Sequence, residues 1–231
     1  MNLCVIPARG GSKRIPNKNI KIFHGKPIIA WSIELAIKSN CFDKVLVSTD
    51  DYEIADLAKN YGAEVPFVRP KKLADDYTAT VPVVSHAIKW QIENYQKPHN
   101  VCCIYPAAPL IYLNDLKRGL KILKDSSCDY AFSATNYAHP IQRAFKVKKN
   151  GKLEMFFPKN NISRSQDLDE TFHDAGQFYW GFVDAWLENK PIISVNSKPI
   201  LIPRHRVIDI DTLEDWQLAE TMFKAVNKKT K

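Results

Sequence analysis

The sequence predicts an α/β domain: a mostly parallel sheet between two layers of helices, a Rossmann-like three-layer sandwich. Three observations carry this. Strand-like and helix-like segments alternate from the N-terminus onward. The strand segments read as continuous apolar runs, as in sheets covered on both faces. The opening run, Leu3 to Ala8, breaks directly into a loop holding Gly10, Gly11 and Ser12 among the cations Arg9, Lys13, Arg14 and Lys18. Gly10 and Gly11 are expected to adopt positive φ and let backbone amides approach a ligand. With charge-assisted donors beside them, at the carboxyl end of a first strand, the composition suits a polyphosphate.

The elements follow in order. Pro27 to Ile37 has helical spacing behind a favourable first-turn proline. Lys44 to Asp50 is a buried strand ending in polar residues, and Asp50 and Asp51 open a helix over Tyr52 to Tyr61 that Gly62 closes. Glu64 to Val68 is expected as a short edge strand, because Pro66 cannot donate to a ladder. A polar loop, 69–80, leads to a helix over Val81 to Tyr95 and a central strand over Val101 to Tyr105. Asn114 is placed to cap a helix reaching Lys124, and Asp129 to Ala134 is the next strand.

Residues 137–175 break the rhythm. Phe145 to Val147 and Leu153 to Phe157 flank Lys148-Lys149-Asn150-Gly151, a hairpin signal, and irregular polar sequence follows. This reads as an insertion into one domain spanning 1–231, with aromatics fit for a partner surface or an active-site wall. Phe178 to Val183 and Ile200 to Ile202 are late strands. Ile208 to Asp211 precedes a terminal helix that Thr212 is placed to cap.

The composition, 45% hydrophobic and 25% charged over 231 residues, is that of a globular chain with a sizeable core. Five cysteines without a Cys-x-x-Cys pair read as reduced, core-filling thiols of a cytoplasmic protein. No apolar run approaches the ~18 residues of a membrane span, and no signal-peptide n-region opens the chain. The net charge of +8 admits an anionic metabolite or nucleic acid. No zinc finger, RNP motif or aromatic-interleaved basic helix supports the second. The Lys228-Lys229-Thr230-Lys231 tail reads as a solvated end.

Ligands of open parallel sheets bind outside the carboxyl ends of the strands, so the chemistry is expected near 9–18, 50–51, 69–80, 105–110 and 204–211. The opening loop is neither Gly-x-Gly-x-x-Gly nor a Walker loop, which points to another nucleotide-handling class. Asp209 and Asp211 alternate about Ile210. As a strand face beside a helix N-terminus, they offer two hard oxygen ligands of the kind Mg²⁺ takes near a polyphosphate. Alone, the pair is equally an acidic helix entry. His205, between two arginines, is either near an anion or a solvated loop residue. Phe172 to Gly181 is either a sugar-pocket wall or an edge strand with core aromatics.

These residues resemble a known family. Ile6-Pro7-Ala8-Arg9-Gly10-Gly11-Ser12-Lys13-Arg14-Ile15-Pro16-x-Lys18-Asn19 is similar to the signature of the acylneuraminate cytidylyltransferases, which make CMP-activated nonulosonic acids. Ser48-Thr49-Asp50, Arg69-Pro70-x-x-Leu73-Ala74 and Ile208-Asp209-Ile210-Asp211-Thr212-x-Glu214-Asp215 match further motifs in order. Residues 74–80 and 173–180 look most like the branch acting on pseudaminic acid. Sialic acid members carry Gln-Pro-Thr-Ser-Pro where this chain has Tyr105-Pro106-Ala107-Ala108-Pro109, which argues for a different sugar.

The resemblance implies a GT-A-like nucleotidyltransferase fold and transfer of CMP from CTP to an acidic nine-carbon sugar, most like pseudaminic acid. Nearest alternatives are sialic, legionaminic and 3-deoxy-octulosonic acids. It further implies nucleotide contacts from Ala8, Arg9, Gly10, Gly11, Ser12, Lys18, Asn19, Arg69, Thr78 and Thr80, with Arg9, Lys18 and Asp211 catalytic. Asp209 and Asp211 would hold Mg²⁺, with Mn²⁺ as a substitute. Tyr105, Arg164, Gln177 and Tyr179 would face the sugar, and the insertion would serve a homodimer. A non-catalytic nucleotide- or RNA-binding module and a glycosyltransferase are the readings from other classes.

Overall fold

The computed structural model describes residues 1–227; the basic tail expected as a solvated end lies outside them. The chain runs β1 (Asn2–Pro7), a small hairpin of β2 (Ile22–Phe23) and β3 (Lys26–Pro27), α1 (Ile28–Ser39), β4 (Lys44–Ser48), α2 (Tyr52–Asn60), α3 (Thr80–Asn94) and β5 (Asn100–Ile104). It continues through α4 (Leu113–Asp125), β6 (Tyr130–Asn136), the arm hairpin β7 (Phe145–Val147) and β8 (Leu153–Met155), β9 (Phe172–Phe182), the short α5 (Val183–Leu187), β10 (Ser197–Leu201) and α6 (Leu213–Asn227).

Six strands form one sheet in the order β10-β6-β9-β5-β1-β4. β1 pairs in parallel with β4 and β5, and β10 with β6, whereas β9 lies antiparallel between β5 and β6. Alternation along β1 divides the core between two faces. Cys4 and Ile6 pack with Ile29 and Ile33 of α1, and Leu3 and Val5 pack with Val84 and Ile88 of α3. This is the expected three-layer architecture.

A third cluster positions the site. Ile15 of the opening loop, Phe23, Ile28, Leu110, Ile210, Trp216 and Phe223 bury one another. Phe23 meets Trp216 and Phe223 edge to face, at ring separations of 5.4 and 5.3 Å. Loop 9–18 and segment 208–211, nearly 200 residues apart, are thereby held together by the apolar residues within them.

Several expectations are corrected. Glu64 to Val68 makes only two isolated bridges, Leu46 with Glu64 and Thr49 with Val68, because Pro66 between them donates no hydrogen bond. α4 starts at Leu113 with an extended Tyr112 before it, so Asn114 lies inside the first turn and is not the cap. Gly10 and Gly11 are absent from the positive-φ residues among those described. Gly10 is needed instead for close approach, since a Cβ there would stand 2.5 Å from Asp51 Oδ2. Asp51 in turn caps α2 through the amides of Glu53 and Ile54. Segment 208–211 belongs to no ladder: β10 ends at Leu201, and a 3₁₀ turn over Arg204–Arg206 intervenes. The late strand is longer than expected and central, not an edge.

The excursion from the sheet covers 137–171, closed at its base by the Tyr137 amide donating to the Thr171 carbonyl; residues 172–175 already belong to β9. β9 also carries an irregularity: its register against β6 shifts between Phe132 and Ala134, with Gly176 at φ +61°. Ser133 Oγ accepts the Gln177 and Phe178 amides there.

α4 packs tightly on this sheet. A Cβ on Gly119 would stand 2.6 Å from Trp180 Cδ1 and 3.1 Å from Ile200 and Phe178 side-chain atoms. The Trp180 indole cannot swing away without losing its bond to the Leu116 carbonyl at 3.1 Å. Overpacking of about 1–3 kcal/mol therefore outweighs the ~1 kcal/mol helix-propensity gain of alanine. Gly119→Ala is expected to lower the urea midpoint; an unchanged or raised midpoint would show that Trp180 yields freely.

Candidate active site

A cleft of about 330 Å³ opens at the carboxyl ends of β1 and β5, lined by Arg9, Ser12, Lys13, Arg14, Lys18, Asn19, Arg69, Thr78, Thr80, Tyr105 and Asp211 among others. It follows from the parallel topology, which brings these strand ends and the N-terminus of α3 to one edge. The helix contributes Thr80 at its first position, with no side-chain cap from Ala79, and uncapped first-turn amides of this kind favour an anion.

Each loop cation is held by a carboxylate. Arg9 Nη1 lies 2.6 Å and Lys13 Nζ 2.5 Å from Asp76, and Arg9 also donates to the Asp75 carbonyl at 2.8 Å. Arg14 Nη2 and Lys18 Nζ lie 2.8 and 3.6 Å from Asp211 Oδ1, and Lys18 donates to the Ile210 carbonyl at 2.7 Å. Asp75 itself orders the 75–78 turn by accepting the Tyr77 and Thr78 amides and the Thr78 hydroxyl.

Arg69 is 4% exposed. Its Nη2 comes only to 3.5 Å from Asp50 Oδ1, and neither Nε nor Nη2 has a hydrogen-bond partner. Burial pushes its pKa down, against the opposing pull of Asp50. Asn19 donates to the Arg9 carbonyl at 2.9 Å while its buried Oδ1 has no partner. These unpaired polar groups border a concave, cationic surface, as a site for a large anion requires.

Lys18 and Tyr105 also border a smaller hollow of about 70 Å³, with Gly176, Ile208, Asp209 and Ile210. Ile210 is 2% exposed and turned into the apolar cluster, so Asp209 and Asp211 face away from it despite the absence of a strand. Burial, then the neighbouring Asp211, raises the Asp209 carboxyl above its ordinary range. Two neighbouring carboxylates at the edge of the cleft have the hard-oxygen chemistry and negative charge that suit a divalent cation. Phosphate oxygens and water would complete its shell.

The remaining residues fall less simply. The Thr80 and Tyr105 hydroxyls share a 2.7 Å hydrogen bond. Tyr105 packs on Tyr179 at 5.2 Å between rings, and Tyr179 donates to Asp174 Oδ2 at 2.8 Å. Burial raises the Tyr105 and Tyr179 phenols, which therefore stay protonated. Tyr179 and Gln177 are each 2% exposed, and Gln177 Nε2 donates to the Arg206 carbonyl at 2.5 Å, not into the cleft. Arg164 lies on the arm, exposed and paired with Asp167. Ala8 is buried with its amide on the Ser48 carbonyl, and the Gly10 amide is taken by Asp50 at 3.1 Å. Neither these two nor Gly11 borders the cleft. His205 lies in an apolar groove with Leu35 and Met222, away from it.

Sequence reasoning assigned Asp50, Asp76 and Asp174 no individual roles, although 50–51 and 172–181 were expected near the chemistry. Asp76 stood in a quoted motif with no role, because an acid in an anion site has no obvious use. Asp76 occupies the cations that a polyphosphate would take. Lys13, then Arg9, hold its carboxyl below the ordinary range, so it is ionised at neutral pH and this contact is lost only in acid. Asp76→Asn is expected to tighten CTP binding about two- to fivefold, as measured by calorimetry. Weaker binding would place Asp76 among the groups that help to hold the nucleotide.

Known proteins resemble this chain in both fold and sequence. The fold matches a solved CMP-2-keto-3-deoxy-manno-octonic acid synthetase in complex with CTP, with a TM-score of 0.71 over 97% of this chain and 98% of that one, at 15% identity. It also matches a 4-diphosphocytidyl-2C-methyl-D-erythritol synthase from Anaerococcus prevotii, with a TM-score of 0.62 over 96% and 98% of the two chains, at 11% identity. Both likenesses show the fold, an α/β three-layer sandwich. Residues 3–175 match the cytidylyltransferase family, and the chain belongs to that family. It is 47% identical over 96% of both chains to a pseudaminic acid cytidylyltransferase of Campylobacter jejuni (strain 81-176). It is 32% identical, over 96% of its own length and 95% of the relative's, to a CMP-N,N'-diacetyllegionaminic acid synthase of Legionella pneumophila.

Proposed function

We propose that this cytidylyltransferase moves CMP from CTP to the anomeric hydroxyl of pseudaminic acid and releases pyrophosphate. The observation that carries this reading is the similarity to the Campylobacter enzyme over nearly the whole of both chains. The sugar oxygen bonds to the α-phosphorus, the bond from that phosphorus to the pyrophosphate oxygen breaks, and the hydroxyl proton is released.

Little covalent work falls to the protein, so its residues act by positioning and by charge. Arg9 and Lys18 exchange their carboxylate partners for triphosphate oxygens, and Ser12 and the leading amides of α3 add neutral donors. Arg69 and Asn19 direct their unpaired atoms to the nucleotide, with Thr78 and Thr80 beside them. Asp209 and Asp211 would hold Mg²⁺ or Mn²⁺, which when bound offsets charge on the departing pyrophosphate. Tyr105 and Gly176 border the hollow next to Asp209 and supply the wall nearest the sugar. Tyr179 holds Tyr105 from behind.

The arm supports a homodimer. Val147, Leu153, Phe156 and Ile162 are 65, 64, 59 and 93% exposed, more apolar surface than a monomer keeps in water without a use. Arg164 on the same arm would then serve the partner's sugar site, which accounts for its distance from its own cleft. Sedimentation at micromolar concentration is expected to give a dimer. Among the described residues no helix is long and apolar enough to cross a membrane.

The decisive assay incubates the protein with CTP, Mg²⁺ and, separately, pseudaminic, legionaminic, sialic and 3-deoxy-octulosonic acids, and measures pyrophosphate. Fastest turnover with pseudaminic acid is expected. Faster turnover with another acid would reassign the sugar, and no release with any, alongside salt-dependent RNA binding, would favour a binding module.

A further inference from the structure

A buried ion pair that borders neither hollow lies just before the acidic segment in the chain. Arg206 Nη1 lies 2.5 Å from Asp115 Oδ2, and the two residues are 6 and 3% exposed. Asp115 comes from the first turn of α4, and its other oxygen lies 3.3 Å from Arg118, whose Nη2 donates to the Leu201 carbonyl at the end of β10. The Arg206 guanidinium carbon sits 4.0 Å over the Tyr112 ring. The Arg206 carbonyl accepts Gln177 Nε2 from β9 at 2.5 Å. Helix α4 and strand β9 therefore meet at Arg206, where the chain leaves the 3₁₀ turn, and Arg118 ties the same end of α4 to β10.

Four and five residues later the same segment is fixed again. Lys18 donates to the Ile210 carbonyl, the Asp211 amide donates to Asp215 Oδ2 at 3.1 Å, and Ile210 is buried. Between these anchors residues 207–211 have no ladder and no helix to set their register. A buried ion pair is a poor source of net stability, because desolvation consumes most of its attraction. Its placement here is explained by geometry instead. A shift of the 206 anchor would move Asp209 and Asp211 relative to each other and to Lys18.

We infer that Arg206, Asp115 and Gln177 are positioning residues that set the spacing of Asp209 and Asp211 without touching substrate. Gln177 is thereby moved from the sugar site to the support behind the acids. The inference rests on the reading of Asp209 and Asp211 as the cation-holding pair.

The test uses the full-length protein and three variants. Asp115→Leu combined with Arg206→Met replaces the pair by apolar side chains and leaves no lone buried charge. Gln177→Met removes only the bond to the Arg206 carbonyl. Asp211→Asn tests the underlying reading. Four quantities are measured: melting temperature, CTP affinity in EDTA, Mn²⁺ affinity with CTP present by electron paramagnetic resonance, and kcat.

The double variant is expected to melt within a few degrees of the wild type and to bind CTP within twofold. Its Mn²⁺ affinity is expected to fall about 10- to 100-fold, the usual effect of losing a group that orients metal ligands, with kcat falling in parallel. Gln177→Met should show the same pattern at smaller amplitude. A folded double variant with Mn²⁺ affinity within twofold of wild type, while Asp211→Asn loses it, overturns the inference and leaves the pair merely structural. Unchanged Mn²⁺ affinity in Asp211→Asn overturns the cation reading itself.

Discussion

Asp211→Asn is expected to reduce kcat by a factor on the order of 10³, the scale of removing a group that organises charge in a transition state. Its fold should survive. Asp211 is one-third exposed and its partner Arg14 two-thirds exposed, so their contact at 2.8 Å contributes little to stability. Asparagine also keeps the size of the side chain and leaves the Asp211 amide on Asp215. CTP affinity in EDTA should hold or rise, because a negative charge beside Arg14 and Lys18 has gone. That combination, intact nucleotide binding with collapsed turnover, separates a cation-holding carboxylate from a structural one. Near-normal turnover with Mg²⁺ present would remove Asp211 from the mechanism.

Arg69→Met is expected to move affinity and stability in opposite directions. The guanidinium is buried with Nε and Nη2 unpaired, and burial already pulls its pKa down. In the free protein it is a cost, since a desolvated cation has only the Asp50 carboxylate at 3.5 Å to offset it. A methionine fills the space without that cost, and Asp50 keeps the Gly10 amide and solvent. The melting temperature should hold or rise. CTP affinity should fall between about tenfold and a hundredfold, the effect of losing hydrogen bonds to a charged partner worth ~1.5–3 kcal/mol. A lower melting temperature with unchanged CTP affinity would instead make Arg69 a structural residue.

Much of this was legible in the chain. Continuous apolar runs marked β1, β4 and β5 because strands covered on both faces carry no polar alternation. The cations of residues 9–18 stood out because four in ten residues beside a buried strand have few structural uses. Asp209 and Asp211 were found by spacing, and their outward orientation survives the loss of the predicted strand. Ile210 sets it by burying itself against Ile15 and Trp216.

Other features had no local signature. The antiparallel insertion of β9 between β5 and β6 cannot be read from its residues, since a buried strand looks the same in either direction. It is what places Gln177 beside Arg206 and not in the cleft. Gly10 was identified as necessary for the wrong reason. A glycine required by positive φ and one required by a side chain 41 positions away are the same letter, and only the neighbouring Asp51 distinguishes them.

By itself the sequence determined the layered fold, and it picked out the cations of the opening loop and the pair of acids before the last helix as candidates for one site. Local periodicity and charge suffice for these, because each depends on neighbours within about ten residues. Tertiary structure alone decided which carboxylate holds which cation, which predicted contacts reach the cleft, and what braces the acidic segment. The pairs Arg9–Asp76, Lys18–Asp211 and Arg206–Asp115 join residues 67, 193 and 91 positions apart. Such contacts are fixed by strand order and core packing, which no short stretch of chain encodes.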